Sequence, residues 1–202
     1  MIFPLVFTIR GSFRRREKAL EHLSQFRSTL KTLNYFVMSN DKFSEDDKDE
    51  IYSIFLEISD TVLSHLGKDD YNTDHLDAVI QKVHEFIKDK GVLVNDRLKN
   101  KIFRFMADLH ESVENLHAIN SHRTPISLRA YCKVFIYIFP LLYAPIIFNN
   151  VGIEESPLII YFIVLITEFI LISLYNIQDK LEYPFDNDGL DDIKLDIFKL
   201  SR

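Results

Sequence analysis

Three groups of residues have types and spacings that chemistry could use. His110, Glu114 and His117 recur at i, i+4 and i+7, which sets them on one face of a helix. Glu114-x-x-His117 has the spacing of half a di-iron carboxylate site. The chain holds no second Glu-x-x-His, so solvated or interhelical polar contacts stand against the metal reading. Asp186, Asp188, Asp191 and Asp192 crowd the segment EYPFDNDGLDDIKLD and offer enough oxygens for a hard cation such as Ca²⁺. No glutamate closes a twelve-residue EF-hand loop there, and a solvated acidic turn is the alternative. Glu168 is the one charge inside the apolar run YFIVLITEFILISLY. A carboxylate in hydrocarbon faces a pore, a cavity or a partner; the structural alternative is a hydrogen bond near Thr167 or Ser173.

Other chemistries lack their residues. The remaining histidines are scattered and form no binding pattern. No P-loop, nucleophile elbow or dinucleotide fingerprint is present, so the chain is not read as an enzyme. The single cysteine, Cys132, excludes an intramolecular disulfide and a cysteine-based zinc site. No cofactor other than Ca²⁺ is suggested. A formal net charge of -6 over 202 residues argues against a nucleic-acid partner, which calls for a basic face.

The elements that must position these residues divide by composition. Charges crowd residues 10–129, and apolar content concentrates after 133. Val134 to Ile153 is a span of twenty residues without a charge, and Ser156 to Gln178 is a second span with only Glu168. About 20 apolar residues cross a hydrocarbon core of roughly 30 Å as a helix. Pro140 and Pro145 interrupt the first span and predict a kink, functional or merely packing. The turn NNVGIEES between the spans is acidic. Arg123, Arg129 and Lys133 precede the first span, and Arg10, Arg14, Arg15, Arg16 and Lys18 follow the opening apolar segment. By the positive-inside rule these ends are cytoplasmic; a solvated basic face on a soluble helix is the alternative for the arginines at 10–16. Tyr161 and Tyr175 fit an interfacial aromatic belt.

Apolar residues at three- and four-residue spacing predict helices over 12–34, 49–66, from Asn72 or Thr73 to about Gly91, and over 95–119. No long strand-like alternation occurs. The expected architecture is an all-α membrane protein, a transmembrane hairpin plus a cytosolic helical bundle. The expected parts are a remnant of a membrane helix at 1–9, a cytosolic helical region at 10–129, the hairpin at 130–178 and a cytosolic acidic segment at 179–202. MIFPLVFTI is too short to span and has its positive charges after the apolar stretch, the reverse of a signal peptide. It reads as the end of a membrane helix whose beginning lies upstream, or as an interfacial or core-packing piece.

The segment after the second span resembles the bestrophin family, in its bacterial-type members. Glu182, Pro184 and Phe185, then acidic residues and Asp192-Ile193-Lys194-Leu195-Asp196, are similar to the family's Glu-Asp-Pro-Phe-Gly, acidic residues and Asp-Leu-x-Leu-Asp. Tyr183 stands for the family's Asp and Asp186 for its Gly. FTIRGSFRRREKA resembles the segment after the family's second membrane helix, with Phe13 and Arg15 matching its aromatic-x-Arg motif; the neighbouring tryptophan is absent, as the chain has no Trp. The resemblance implies a pentameric channel, mostly anion-selective (chloride) in animals and cation-selective in some bacterial forms, with four membrane helices per subunit. It further implies a pore lined by the second membrane helix with an apolar neck, for which Phe3 and Phe7, one turn apart, are the candidates. The expected function is therefore an oligomeric, multi-pass ion-channel subunit of the cell membrane, self-associating in the bilayer and passing inorganic ions passively, its helical body on the cytoplasmic side. The alternative is a non-conducting, membrane-anchored helical scaffold.

Overall fold

The computed structural model describes residues 3–68, 70–151, 157–189 and 191–201. Among them are α1 (Phe3–Met38), α2 (Glu45–Leu66), α3 (Asp74–Asp89), α4 (Asp96–Ser121), α5 (Ile126–Val151), α6 (Pro157–Leu181) and a short 3₁₀ turn (Leu195–Phe198), and no strand. The all-α expectation holds.

Local chemistry sets the ends of these helices. α2 begins at Glu45, ahead of the start expected at 49, because Ser44-Glu45-Asp46-Asp47 is a capping box. The Ser44 hydroxyl accepts from the Asp47 amide at 3.1 Å, and the Asp47 carboxylate accepts from the Ser44 amide at 3.0 Å. At α3 the cap is shared out: Thr73 holds the capping position without a side-chain bond, while the Asn72 side-chain oxygen accepts from the Asp74 amide at 2.8 Å. Asn95 caps α4 by accepting from the Leu98 amide at 2.7 Å. The opening apolar segment and the helix expected from Ser12 are one element, α1. Gly11 between them does not break it, since a glycine inside a helix costs only about 0.5–1 kcal/mol relative to alanine.

The chain divides into two compact units. One comprises Met1–Arg16 and Arg123–Tyr183, the other Glu17–His122 and Pro184–Arg202. In the second, α2 packs on α3 and α4. Its core takes Phe26, Leu30 and Leu33 from α1, Phe55 and Ile58 from α2, Val83 and Ile87 from α3, and Ile102, Leu109 and Leu116 from α4. The residues after the last span complete this core: Phe185, Ile193 and Leu200 are buried in it. The Ile193 amide donates to the Pro184 carbonyl at 2.9 Å, and the Leu200 amide donates to the buried Ser59 hydroxyl at 3.0 Å. Lys199 pairs with Asp60 at 2.9 Å.

In the first unit α5 packs against α6, and Leu5 of α1 joins Ile136, Phe139 and Leu171 in a small apolar core. Pro140 and Pro145 stay within an unbroken α5. Ile126–Asn150 and Leu158–Leu181 are long and apolar enough to cross a bilayer, and only 17 % of each span's most apolar window is buried. Leu141, Leu158, Leu165 and Phe169 are all largely exposed. A contiguous apolar surface of this kind belongs to lipid or to another subunit, because water penalises it heavily.

Candidate functional site

The most organised polar constellation of the first unit is built on Glu182, one residue beyond α6. Its side chain is fully buried. Oε1 accepts from the Thr124 amide at 2.6 Å and meets Arg15 Nη1 at 3.4 Å and Arg129 Nη2 at 3.7 Å. Oε2 accepts from the Gln178 side-chain amide at 2.8 Å. One carboxylate therefore ties the segment entering α5, the first turn of α5, the last turns of α6 and the arginine run of α1. Arg129 donates to the Tyr183 hydroxyl at 3.3 Å and lies 3.5 Å from Asp179. The Arg123 guanidinium stacks on the Tyr183 ring, 4.3 Å from its centroid. Tyr183, where the resembling family has Asp, thus supplies a ring and a hydroxyl to two arginines.

Chemically this is a clamp. Its carboxylate is withdrawn from solvent, and both of its oxygens accept from donors inside the unit. Around it lie further buried polar groups of the same unit: Thr8 donates to the Leu5 carbonyl at 2.8 Å and approaches Cys132 Sγ at 4.0 Å, and Ser12 is fully buried.

α1 presents two faces in this unit. Leu5, Thr8 and Ser12 are buried, whereas Val6, Phe7, Arg10, Gly11 and Arg14 are exposed. Phe7 is 65 % exposed; Phe3, the other neck candidate, has a side chain outside the described residues. The exposed stripe changes from apolar to cationic within two turns.

Glu168 is half-buried in α6, and its Oε2 is buried without a hydrogen-bond partner among the described residues. Thr167 and Ser173 bond back to the carbonyls of Ile163 and Phe169 in their own helix, at 2.7 Å each, so neither serves Glu168. Beside the two prolines an apolar cavity of about 350 Å³ opens between α5 and α6, lined by Pro140, Pro145, Phe148 and Ile160 among others.

The sites expected in the second unit are rearranged. His110 lies 3.9 Å from Glu114 and 3.9 Å from Asp77 of α3, all three exposed. His117 does not join them; its Nδ1 is 3.0 Å from Nε2 of His65. In the acidic segment, Asp186 accepts from the Asp188 amide at 3.1 Å and Asp192 from the Gly189 amide at 2.6 Å. Asn187 between them has φ of 63°, the left-handed conformation that asparagine tolerates in a tight turn. Asp191 is exposed.

No protein-family model matches the chain, and no curated protein matches it in sequence. Solved structures do. A bacterial bestrophin homologue from Klebsiella pneumoniae, phased with zinc, superposes with a TM-score of 0.83 at 13 % identity, over 97 % of this chain and 78 % of that one. A variant of the Klebsiella homologue gives a TM-score of 0.82 at 15 % identity, over 97 % of this chain and 80 % of the other. A structure described only as a membrane protein gives 0.83 at 15 % identity, over 97 % and 78 %. The chain has the fold of these bestrophin homologues.

Proposed function

We infer that this chain is a subunit of an oligomeric membrane channel that passes inorganic ions along a central axis. The observation that carries the reading is the agreement of nearly the whole chain with the bestrophin homologues, at a TM-score of 0.83 over 97 % of its length. The face of α1 that carries Phe7, Arg10 and Arg14 supports it. Those side chains are exposed in the single chain and lie opposite the face that packs on α5 and α6. Repeated around an axis, Phe7 makes an apolar ring that gates by dewetting, and Arg10 and Arg14 make a cationic collar beyond it that concentrates anions. The largely exposed α5 and α6 then meet lipid, and the arginine ends stand on the cytoplasmic side. Glu182 ties α1 to the start of α5 and the end of α6 so that the α1 face keeps its orientation.

Reconstitution into planar bilayers tests this. Ion currents with a preference for anions, together with a crosslinking ladder ending at five subunits in membranes, are the expected outcome. Silence toward both anions and cations, with monomers or dimers on crosslinking, refutes the channel and leaves a membrane-anchored scaffold.

A further inference from the structure

Three histidines converge from three helices of the second unit. His65 sits in the last turn of α2, His75 in the first turn of α3 and His117 in the last turns of α4. The His65 ring centroid is 5.0 Å from that of His75 and 5.2 Å from that of His117. Asp70, in the connection from α2 to α3, completes the group. One ligand atom each from His65, Asp70 and His75 lie within 4.8 Å of one another. The sequence carries this as His65-x₄-Asp70-x₄-His75, a spacing with no helical period, which is why the histidines read as scattered.

The hydrogen bonding of His65 leaves one nitrogen unexplained. The residue is only 3 % exposed. Its Nε2 is engaged with His117 Nδ1 at 3.0 Å, while its own Nδ1 is buried and has no hydrogen-bond partner among the described residues. With the proton on Nε2 and given to His117, Nδ1 keeps a lone pair with nothing to accept from. An orphaned buried acceptor carries an uncompensated desolvation penalty, and native structures rarely leave one without a reason. A metal ion supplies the missing partner. The pattern is also the usual one around a metal-binding imidazole: one nitrogen ligates and the other is fixed by a hydrogen bond that sets the tautomer.

We propose that His65, Asp70 and His75 bind a divalent transition-metal ion, zinc being the best match, with His117 as the positioning residue that orients the His65 ring. Two imidazoles and a carboxylate are borderline ligands that suit Zn²⁺ and disfavour Ca²⁺, which takes oxygens. Tetrahedral bonds of about 2.0–2.1 Å bring donor atoms to about 3.3 Å apart, so the ligands close in on binding. His75 and Asp70 are exposed and free to make that movement, and water takes the fourth position. Asp70 is already half arranged: its Oδ1 accepts from the Asn72 amide at 2.9 Å, leaving Oδ2 for the ion. Protonation agrees with this. Burial, then His117 and His75, hold His65 below the ordinary histidine range, and the Asn72 amide first among its neighbours holds the Asp70 carboxyl low. Neutral imidazole with ionised carboxylate is the state a metal ion requires. The bound ion would pin the α2–α3 connection to the end of α2. The assignment does not rest on ion conduction.

The test uses the full chain in detergent, free of any polyhistidine tag and stripped with chelator. Zn²⁺ is titrated by calorimetry, and Co²⁺ is followed by the visible absorption that tetrahedral cobalt gives. One ion per chain, a raised unfolding temperature and an intense cobalt band are expected. H75A and D70N, both at exposed positions, should each weaken affinity by at least about ten-fold, and H117Q by about 10–100-fold. H110A, in the separate exposed group with Asp77 and Glu114, should change nothing. Absence of saturable uptake overturns the proposal. So does uptake that survives H75A and D70N, or uptake that H110A abolishes.

Discussion

Replacing Glu182 with glutamine keeps the shape of the side chain and removes its charge. Arg15 and Arg129 then face a neutral oxygen at 3.4 and 3.7 Å. Both arginines retain side-chain exposures of 19 and 20 %, so water partly recovers them. The loss is that of a charge-assisted contact, about 1.5–3 kcal/mol. Glu182→Ala goes further. It orphans the Thr124 amide, now bonded at 2.6 Å, and the Gln178 amide, now at 2.8 Å, and takes the buried carboxylate from Arg15 and from Arg129, which keeps Tyr183 and Asp179. Breaking a buried pair from one side costs about 3–5 kcal/mol. For a chain of this size each kcal/mol moves the unfolding midpoint by about 2–4 °C. Thermal unfolding in detergent, followed by helical circular dichroism, should show drops of about 3–12 °C for E182Q and about 6–20 °C for E182A. Arg15→Ala combined with E182A should lose less than the sum of the two, with a coupling above about 0.5 kcal/mol. If E182A unfolds within about 2 °C of the unmodified chain, the carboxylate is not what holds these helix ends, and the clamp must be abandoned.

Three further expectations follow from the same geometry. Phe7→Ala removes the apolar ring proposed for the pore and should enlarge single-channel currents, while Arg10→Glu with Arg14→Glu should shift the reversal potential toward cations; currents unchanged in size and selectivity would remove α1 from the ion path. The Asp47 carboxyl is held down to about 2, first by Lys90 and then by Ser44. A depressed acid stabilises fully above its unfolded value and loses that contribution as pH falls through the folded one, so acid unfolding should steepen from about pH 4 down to about 2, and D47N should flatten that limb. Ser59→Ala leaves the Leu200 amide, now bonded at 3.0 Å, without an acceptor. It should cost about 1–3 kcal/mol and raise hydrogen exchange across residues 193–200; unchanged protection there would mean the segment is held by its apolar side chains alone.

Much of the helical frame is legible in one dimension because burial imposes a period. The stripe Leu23, Phe26, Leu30 and Leu33 is fully buried, as its three- and four-residue spacing demands. The spans are legible from length alone. The start of α2 escaped because its charged first turn looks like a loop, although Ser44-x-x-Asp47 is a readable cap. The union of the first apolar segment with the next helix escaped because a lone glycine reads as punctuation. The clamp was legible only in part. Glu182 stands out in the motif that resembles the bestrophin family, but its donors Thr124, Arg129 and Arg15 are 58, 53 and 167 positions away, and no local pattern joins them. The pairing of His117 with His65 rather than His110 has the same origin. Sharing a helical face makes residues available to one another, and the neighbouring helix decides which of them are used.

The buried positions of Phe185, Ile193 and Leu200 have a temporal consequence. Ribosomes make them after α5 and α6, so in the membrane protein proposed above the nascent helical unit waits, with part of its interior uncovered, while the two apolar helices are inserted. Maturation of that unit is then coupled to membrane insertion. A stalled insertion leaves an unsealed surface that chaperones and proteases can recognise, and a short deletion after α6 should be read by the cell as a folding defect in residues 17–122.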